Sequence, residues 1–384
     1  MKPVVAVTGT GFIGPVHVEA LRRLGIHVRG VLGSTPEKSQ EAAQQMGLEV
    51  GYADYQAIID DPLINVVHLT TPNKLHFETA KAALLTGKHV ICEKPLAMTS
   101  TETAELVRIA DAHPNLISAV NYNIRFYPTV LHTRDLVRSG AIGDVYFVRG
   151  AYIQDWLLFD TDFNWRVMAQ DGGDLRAIGD IGTHWMDLIG FVTGLKTESL
   201  LADLSTFIPV RKKPKQAIAT FKGKETDGSI EYEPVDIHTD DYGAVLFHYE
   251  NGARGTMNVS QVSAGRKNQL TFEIYGSKAA ISWNGENPNE LWIGYRDRPN
   301  EVLIKDPSLL SENARAFTSY PGGHAEGFPD TFKQLYRAIY DYLATGDFSK
   351  PKPYPTFQDG HDEIVLCESI LKSHQERRWL DIPK

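Results

Sequence analysis

The sequence predicts an α/β half built on a parallel sheet, followed by an α+β half built on an open, mostly antiparallel sheet. Three observations predict it. Short apolar strands alternate with amphipathic helices over the first third of the chain. A Gly-x-Gly-x-x-Gly turn joins the first strand to the first helix. Beyond about residue 125 the pattern becomes strand runs separated by tight turns.

Val4-Val5-Ala6-Val7 is an apolar, β-branched run, as suits a strand buried on both faces. After the glycine turn, Ile13, Val16, Ala20, Leu21 and Leu24 recur at spacings of three and four, one helix stripe that Gly25 ends. His27 to Leu32 reads as the second strand and Pro36 to Met46 as the second helix. Asn65 to Thr70, His89 to Cys92 and Asn115 to Val120 are further strands, with helices near Leu75 to Thr86 and Ser100 to His113 between them. Thr99 with Glu102 predicts a capping box for the latter. Repeated βα units imply right-handed crossovers and a parallel sheet.

The second half alternates from Val145 to Tyr152 and again from Tyr242 onward. Tyr242 to Tyr249 and Gly255 to Val262 flank Asn251-Gly252, a strong hairpin signal. Leu270 to Tyr275, Ala279 to Trp283 and Glu290 to Tyr295 continue at hairpin distances, while 175 to 192 reads as helix. The lysine-rich stretch of Lys212, Lys213, Lys215, Lys222 and Lys224 reads as a solvated excursion. Two domains are expected, 1–125 and 126–384.

A chain of 384 residues with 42% hydrophobic content can bury a large core. With 39 basic and 48 acidic residues the net charge is −9, which argues against nucleic acid or anionic membrane as a partner. Cys92 and Cys367 stand alone, without the spacing of a disulfide framework or a zinc site. No apolar stretch has membrane-spanning length, and a strand from residue 4 leaves no room for a signal peptide, so a cytoplasmic protein is expected.

The chemistry sits at the junctions. Gly9, Gly11 and Gly14, with Phe12 and Ile13 between them, lie after a strand and open a helix, so a pyrophosphate can approach the backbone amides there. This is a dinucleotide-binding turn of Rossmann type. An acidic residue at the tip of the second strand would bind the ribose of NAD; here stand Gly33, Ser34 and Thr35, with Lys38 following. NAD or NADP can therefore serve, with a lean toward NADP or dual use. Thr70, Thr71, Pro72 and Asn73, with His76 beyond, and Glu93-Lys94-Pro95 end two strands at the carboxyl edge, where ligands bind in such sheets. In the expected helix after Gly172-Gly173, Asp180 and His184 stand four apart on one face, an arrangement that suits a general acid or base. Gly179 and Gly182 within a helix imply something close-packed against them.

In this order and spacing, Gly9-x-Gly11-x-x-Gly14, Glu93-Lys94-Pro95, Asn164-Trp165-Arg166, Gly172-Gly173…Asp180-x-Gly182-x-His184-x-x-Asp187 and the closing Pro355 to Gly360 resemble the Gfo/Idh/MocA family of nicotinamide-dependent oxidoreductases. Asp155 to Leu158, Ser260 to Arg266 and Pro321 to Gly327 resemble the branch that holds levoglucosan dehydrogenase and glucoside 3-dehydrogenases. The resemblance implies that Lys94 bonds the reacting hydroxyl, that Asp180 holds the sugar and pairs with His184, and that His184 takes the hydroxyl proton. It places Asn121, Arg125, Trp165 and Arg166 along the cofactor or at the sugar site, and Tyr152, Gln154, Trp165 and His324 against the sugar. Two departures stand out: Asp174 replaces the usual third glycine of the second motif, and the acidic residue after strand two is missing. The expectation is a sugar or cyclic-polyol dehydrogenase, assembled as a homodimer or homotetramer through its open sheet. The alternatives are a keto-sugar reductase, an aldose-ketose oxidoreductase, or a non-catalytic sensor on the same scaffold.

Overall fold

The computed structural model describes residues 2–215 and 231–383. Six parallel strands form the first sheet: β1 (Val4–Thr8), β2 (His27–Leu32), β3 (Val50–Gly51), β4 (Val66–Leu69), β5 (His89–Cys92) and β6 (Ser118–Val120). Their order is β3-β2-β1-β4-β5-β6, the doubly wound arrangement whose strand order reverses between β1 and β4. The connecting helices are α1 (Ile13–Arg23), α2 (Pro36–Met46), α3 (Tyr55–Asp60), α4 (His76–Leu85) and α5 (Ser100–Ala112). Val5, Val7, Val66 and Ile91 are fully buried, as the β-branched runs require of strands covered on both faces. Thr35 caps α2 through the Lys38 amide, and Thr99 and Glu102 make both bonds of their capping box. The elements β3 and α3 are too short to show a period, and sequence reading passes over them.

Nine strands form the second sheet: β7 (Val145–Ile153), β8 (Thr197–Ser205), β11 (Tyr242–Tyr249), β12 (Arg254–Ser260), β13 (Gln269–Gly276), β14 (Ala280–Asn284), β15 (Glu290–Gly294), β16 (Glu301–Ile304) and β17 (Leu380–Asp381). A separate hairpin pairs β9 (Val210–Pro214) with β10 (Tyr232–Asp236). The large sheet runs β16-β15-β14-β13-β7-β12-β11-β8-β17, antiparallel except where β12 meets β7. Helices α6 (Pro128–Arg138), α7 (Ala169–Gly172) and α8 (Thr183–Thr193) precede β8. Gly150 is where α8 comes down on the sheet: a Cβ there would lie 2.1 Å from the Thr271 carbonyl oxygen and 2.3 Å from the Trp185 ring nitrogen.

The lysine-rich stretch is not a plain excursion. Lys212 and Lys213 lie on β9, and Lys212, Lys213 and Lys215 pair with Asp160, Glu233 and Glu231. Lys222 and Lys224 lie outside the described residues.

The last helices are α9 (Glu312–Ala316), α10 (Phe328–Thr345) and α11 (Phe357–Glu376). Both long ones return to the first sheet. The start of α10 meets the end of α1 through Asp330 and Arg23, and α11 packs along α5, with Thr356 bridging to Ala119 of β6. The two halves are thus clasped by the C-terminal segment, and the cleft between them is walled by both.

Candidate active site

The glycine turn is built for a close approach. Gly9 has φ +102° and donates to the Leu32 carbonyl at 2.7 Å. A Cβ on Gly9 would stand 2.5 Å from Thr70, and one on Gly14 only 2.0 Å from the Gly9 oxygen. Gly11 faces open space, with nothing within 4 Å of its Cβ position. The first turn of α1 carries no side-chain cap, so its amides stay available. These features fit a pyrophosphate. At the tip of β2 the Gly33 amide donates to the Ser39 hydroxyl at 2.8 Å, while Ser34 and Lys38 are exposed. Ser39, fully buried, shapes that tip and was not singled out from the sequence.

Beneath the crevice lies a layer that holds loops rather than offering itself to a ligand. His76 places its ring nitrogens against the Pro95 and Thr71 carbonyls at 2.8 and 2.9 Å and is buried. Neutral, it has one N–H and donates to one of these carbonyls, so it packs between the two strand-end loops expected to bind the cofactor. Glu93 is bonded by His17, by Asn121 and by the Lys94 amide. His76, Glu93 and Asn121, expected along the cofactor, are thus buried beneath the crevice and bonded to one another's loops. Asn73 reaches across the cleft to the Gly172 carbonyl at 2.9 Å, and Lys74 pairs with Asp171 beside it.

Lys94 comes from the end of β5 and Asp180 with His184 from the other half. Lys94 Nζ donates to the Asp180 carbonyl at 2.7 Å and to its Oδ1 at 2.8 Å. Gln261 donates to Asp180 Oδ2 at 2.9 Å, and Arg166 lies 3.4 Å from Oδ1 while stacking on Trp165. Burial opposes ionisation of Asp180, but the Lys94 ammonium and the Arg166 guanidinium hold its carboxyl well below the usual range. Burial first, and Lys94 second, lower the His184 imidazole to about 3, so it is neutral at neutral pH. Its Nδ1 is buried without a partner, and the rings of Tyr122 and Tyr152 pack on it at 5.8 and 6.1 Å. The expected Asp180–His184 pair is not bonded: the oxygens of Asp180 go to Lys94, Gln261 and Arg166, and the neutral His184 ring lies one turn further on.

The helix expected over 175 to 192 opens as a π-turn, Ile178–Gly182, before α8 begins. A Cβ on Gly182 would meet Met257 and Val259 at 3.6 Å, an ordinary contact, so no neighbouring backbone demands a glycine there. Asp240 holds the turn, its two oxygens accepting from the Arg176 and Ile178 amides at 2.6 and 2.8 Å.

Beside His184, the Tyr152 hydroxyl and the Gln154 amide both donate to Asn268 Oδ1 at 2.7 Å, and Trp156 donates to Gln154 at 2.9 Å. Gln261 falls in the Ser260 to Arg266 segment but its role was not read from sequence, and Asn268 lies in no motif.

Two expected residues have other partners. Arg125 is buried against Asp187 and Asp359, with Phe191 beneath its guanidinium, joining the start of the second half to α8 and α11. It lines a separate cavity of about 1680 Å³ between α6, α8 and α11, which His184 does not reach. His324 sits in the loop before α10, where Lys305 donates to its carbonyl at 2.9 Å and its ring faces the Gly322 carbonyl.

Comparison with known proteins places this geometry. Residues 4–122 match the model described as an oxidoreductase family with an NAD-binding Rossmann fold, and residues 130–282 match the GFO/IDH/MocA C-terminal domain. The levoglucosan dehydrogenase of Pseudarthrobacter phenanthrenivorans is 32% identical over 399 residues, covering 99% of this chain and 98% of that one. A solved levoglucosan dehydrogenase in complex with NADH and levoglucosan superposes with a TM-score of 0.87 at 29% identity, over 100% of both chains. An inositol dehydrogenase homologue from Azotobacter vinelandii, solved with NADH and myo-inositol, gives 0.85 at 25% identity over 99% of this chain and 98% of that one.

Proposed function

The chain belongs to the Gfo/Idh/MocA family of oxidoreductases, and on that premise we propose that it oxidises a secondary hydroxyl of a sugar, anhydrosugar, glucoside or cyclic polyol. One observation carries the proposal: Lys94 from one half meets Asp180 from the other, with His184 one helical turn further on. NAD, when bound, supplies the acceptor for the hydride that leaves the carbinol carbon. Gly9, Gly11 and Gly14 would hold its pyrophosphate, with the strand-end loops at Thr70 to Asn73 beside them.

The residues do the remaining work. An ammonium has three donors, and Lys94 commits two to Asp180, which leaves one for the reacting hydroxyl. Asp180, ionised and held on three sides, fixes that ammonium in place. His184, neutral and largely shielded from water, accepts the hydroxyl proton. Tyr152, Gln154, Trp156 and Asn268 offer a polar and aromatic wall suited to several hydroxyls. The relatives solved with levoglucosan and myo-inositol support that substrate class.

The tip of β2, with no carboxylate and with Ser34 and Lys38 exposed, supports use of both NAD and NADP. The outer face of the nine-stranded sheet exposes Leu246, Trp292, Val302 and Ile304, which supports assembly into a dimer or tetramer through it. No helix among the described residues is long and apolar enough to cross a membrane.

The test is turnover of a panel of sugars, anhydrosugars, glucosides and inositols with either nucleotide. Turnover of any member, lost in Lys94→Ala, supports the proposal. Tight nucleotide binding without turnover of any member would instead favour a sensor.

A further inference from the structure

Glu93, the residue before Lys94, heads a line of buried polar side chains that the chemistry above does not use. Glu93 Oε1 lies 3.0 Å from His17 Nε2, His17 Nδ1 lies 3.0 Å from His68 Nδ1, and His68 Nε2 lies 2.9 Å from the Tyr340 hydroxyl. The four residues come from β5, α1, β4 and α10. Both histidines are fully buried, and Glu93 and Tyr340 nearly so. Phe332 and Tyr336 pack their rings on His17, and Tyr336 and Tyr340 pack theirs on His68, which closes both imidazoles to bulk solvent.

Each contact holds one hydrogen, and this restricts the arrangement. An ionised Glu93 can only accept, so His17 donates from Nε2. A neutral His17 then accepts at Nδ1, which requires His68 to donate from its own Nδ1. His68 in turn accepts at Nε2, and Tyr340 must donate. Every link points at Glu93. With both imidazoles neutral, no other arrangement makes all three bonds to a charged carboxylate.

We propose that Tyr340, His68 and His17 are positioning residues of the active site, whose one-way hydrogen-bond chain holds the Glu93 carboxylate ionised and oriented beside Lys94. Asn121 and the Lys94 amide complete its shell. Burial works against the charge, yet the hydrogen bond from His17 and the nearby Lys94 ammonium keep the carboxyl below its ordinary range. The other titratable groups facing Glu93 are His76, Cys92 and Tyr336. Burial keeps His68 and His76 neutral and the Cys92 thiol and Tyr336 phenol protonated at neutral pH. The Glu93 charge acts on Lys94 and His184, so this inference rests on the assignment of those two to the reaction.

The first test does not use activity. Nitrogen NMR of histidine-labelled protein, assigned with His17→Gln, should show His17 as the Nε2–H tautomer and His68 as the Nδ1–H tautomer. His68 should stay neutral through the neutral pH range. A doubly protonated His68, or the opposite tautomer of either ring, overturns the proposal whether or not a substrate has been found. The second test is the pH profile of kcat/KM. His17→Leu should lower it by about tenfold, as loss of one charge-assisted hydrogen bond gives, and should move the acid limb to higher pH as Glu93 begins to titrate. His17→Gln, whose amide can donate to Glu93 and accept from His68, should restore the profile. Should His17→Leu fail to fold, Tyr340→Phe removes one donor at the far end and should move the same limb in the same direction. A folded variant with the wild-type profile contradicts the proposal.

Discussion

Asp180 shows how one side chain orders a site. Its carbonyl and carboxylate take two donors of Lys94, its second oxygen takes Gln261, and Arg166 stands at the rim. His184 is left neutral beside it, its basicity lowered by burial and by the Lys94 charge. Replacing His184 by alanine should therefore lower kcat/KM by about 10²- to 10⁴-fold, the usual worth of a positioned base. Nucleotide affinity, read by fluorescence titration, should stay within a few-fold of wild type; a comparable loss of affinity would mean that the ring serves binding. Cofactor choice is also decided by single residues. A Cβ on Gly33 would press on Lys38 and the Ser39 amide at 3.1 to 3.2 Å, so Ser34→Asp is the cleaner probe. It should reduce kcat/KM with NADP by at least about tenfold through charge repulsion and leave NAD nearly unaffected. Equal effects on both nucleotides would contradict this reading of the β2 tip. Lys94, Asp180 and His184 could be read from sequence because motif spacing marks them. Asn268, His17 and His68 could not, since they meet the site only through the fold, and the Ser260 to Arg266 segment drew attention to Gln261 without showing that it holds Asp180. The resemblance places Arg125 along the cofactor or at the sugar site, and in the structure its guanidinium pairs with Asp187 and Asp359.

At the scale of elements, two turns place the chemistry. The glycine turn ends β1 so tightly that alanine at Gly14 would put its Cβ 2.0 Å from the Gly9 oxygen. Gly14→Ala should abolish measurable nucleotide binding or unfold the first half, both visible in thermal melts with and without nucleotide; wild-type binding would show that the turn has room. The π-turn Ile178–Gly182 is the second device. Asp240 caps it with both oxygens, and burial raises that carboxyl to about 6 despite three backbone bonds. Asp240→Asn turns one acceptor into a donor facing an amide. It should cost about 1–3 kcal/mol in denaturant unfolding, with kcat reduced along with stability as Asp180 loses its support. The π-turn was read as plain helix because an inserted residue leaves the apolar period on either side intact. The alternating strands of the second sheet were legible for the opposite reason: one buried face imposes period two. The two-residue β3 carries no period at all.

At the scale of the molecule, the two sheets meet in a cleft that neither completes. The clasp of α10 and α11 back onto the first sheet was not legible, since an amphipathic helix does not say which surface it covers. Burying a neutral histidine in that cleft links the site to folding. The unfolded chain protonates His184 below about 6.5, whereas the folded chain does so only near 3. Over that interval the unfolded state binds more protons, so this group's contribution falls as the solution is acidified. The unfolding free energy of wild type relative to His184→Phe should therefore rise by a few kcal/mol between about pH 3 and 6.5 and level off above. A flat difference would mean that the ring is not buried neutral. The central claim is that Lys94 of one half and His184 of the other act on one sugar hydroxyl. The most direct measurement is nicotinamide reduction by levoglucosan, glucosides and inositols in wild type, Lys94→Ala and His184→Ala. The account predicts turnover of at least one of them in wild type and its loss in both variants; turnover that survives in either would contradict it.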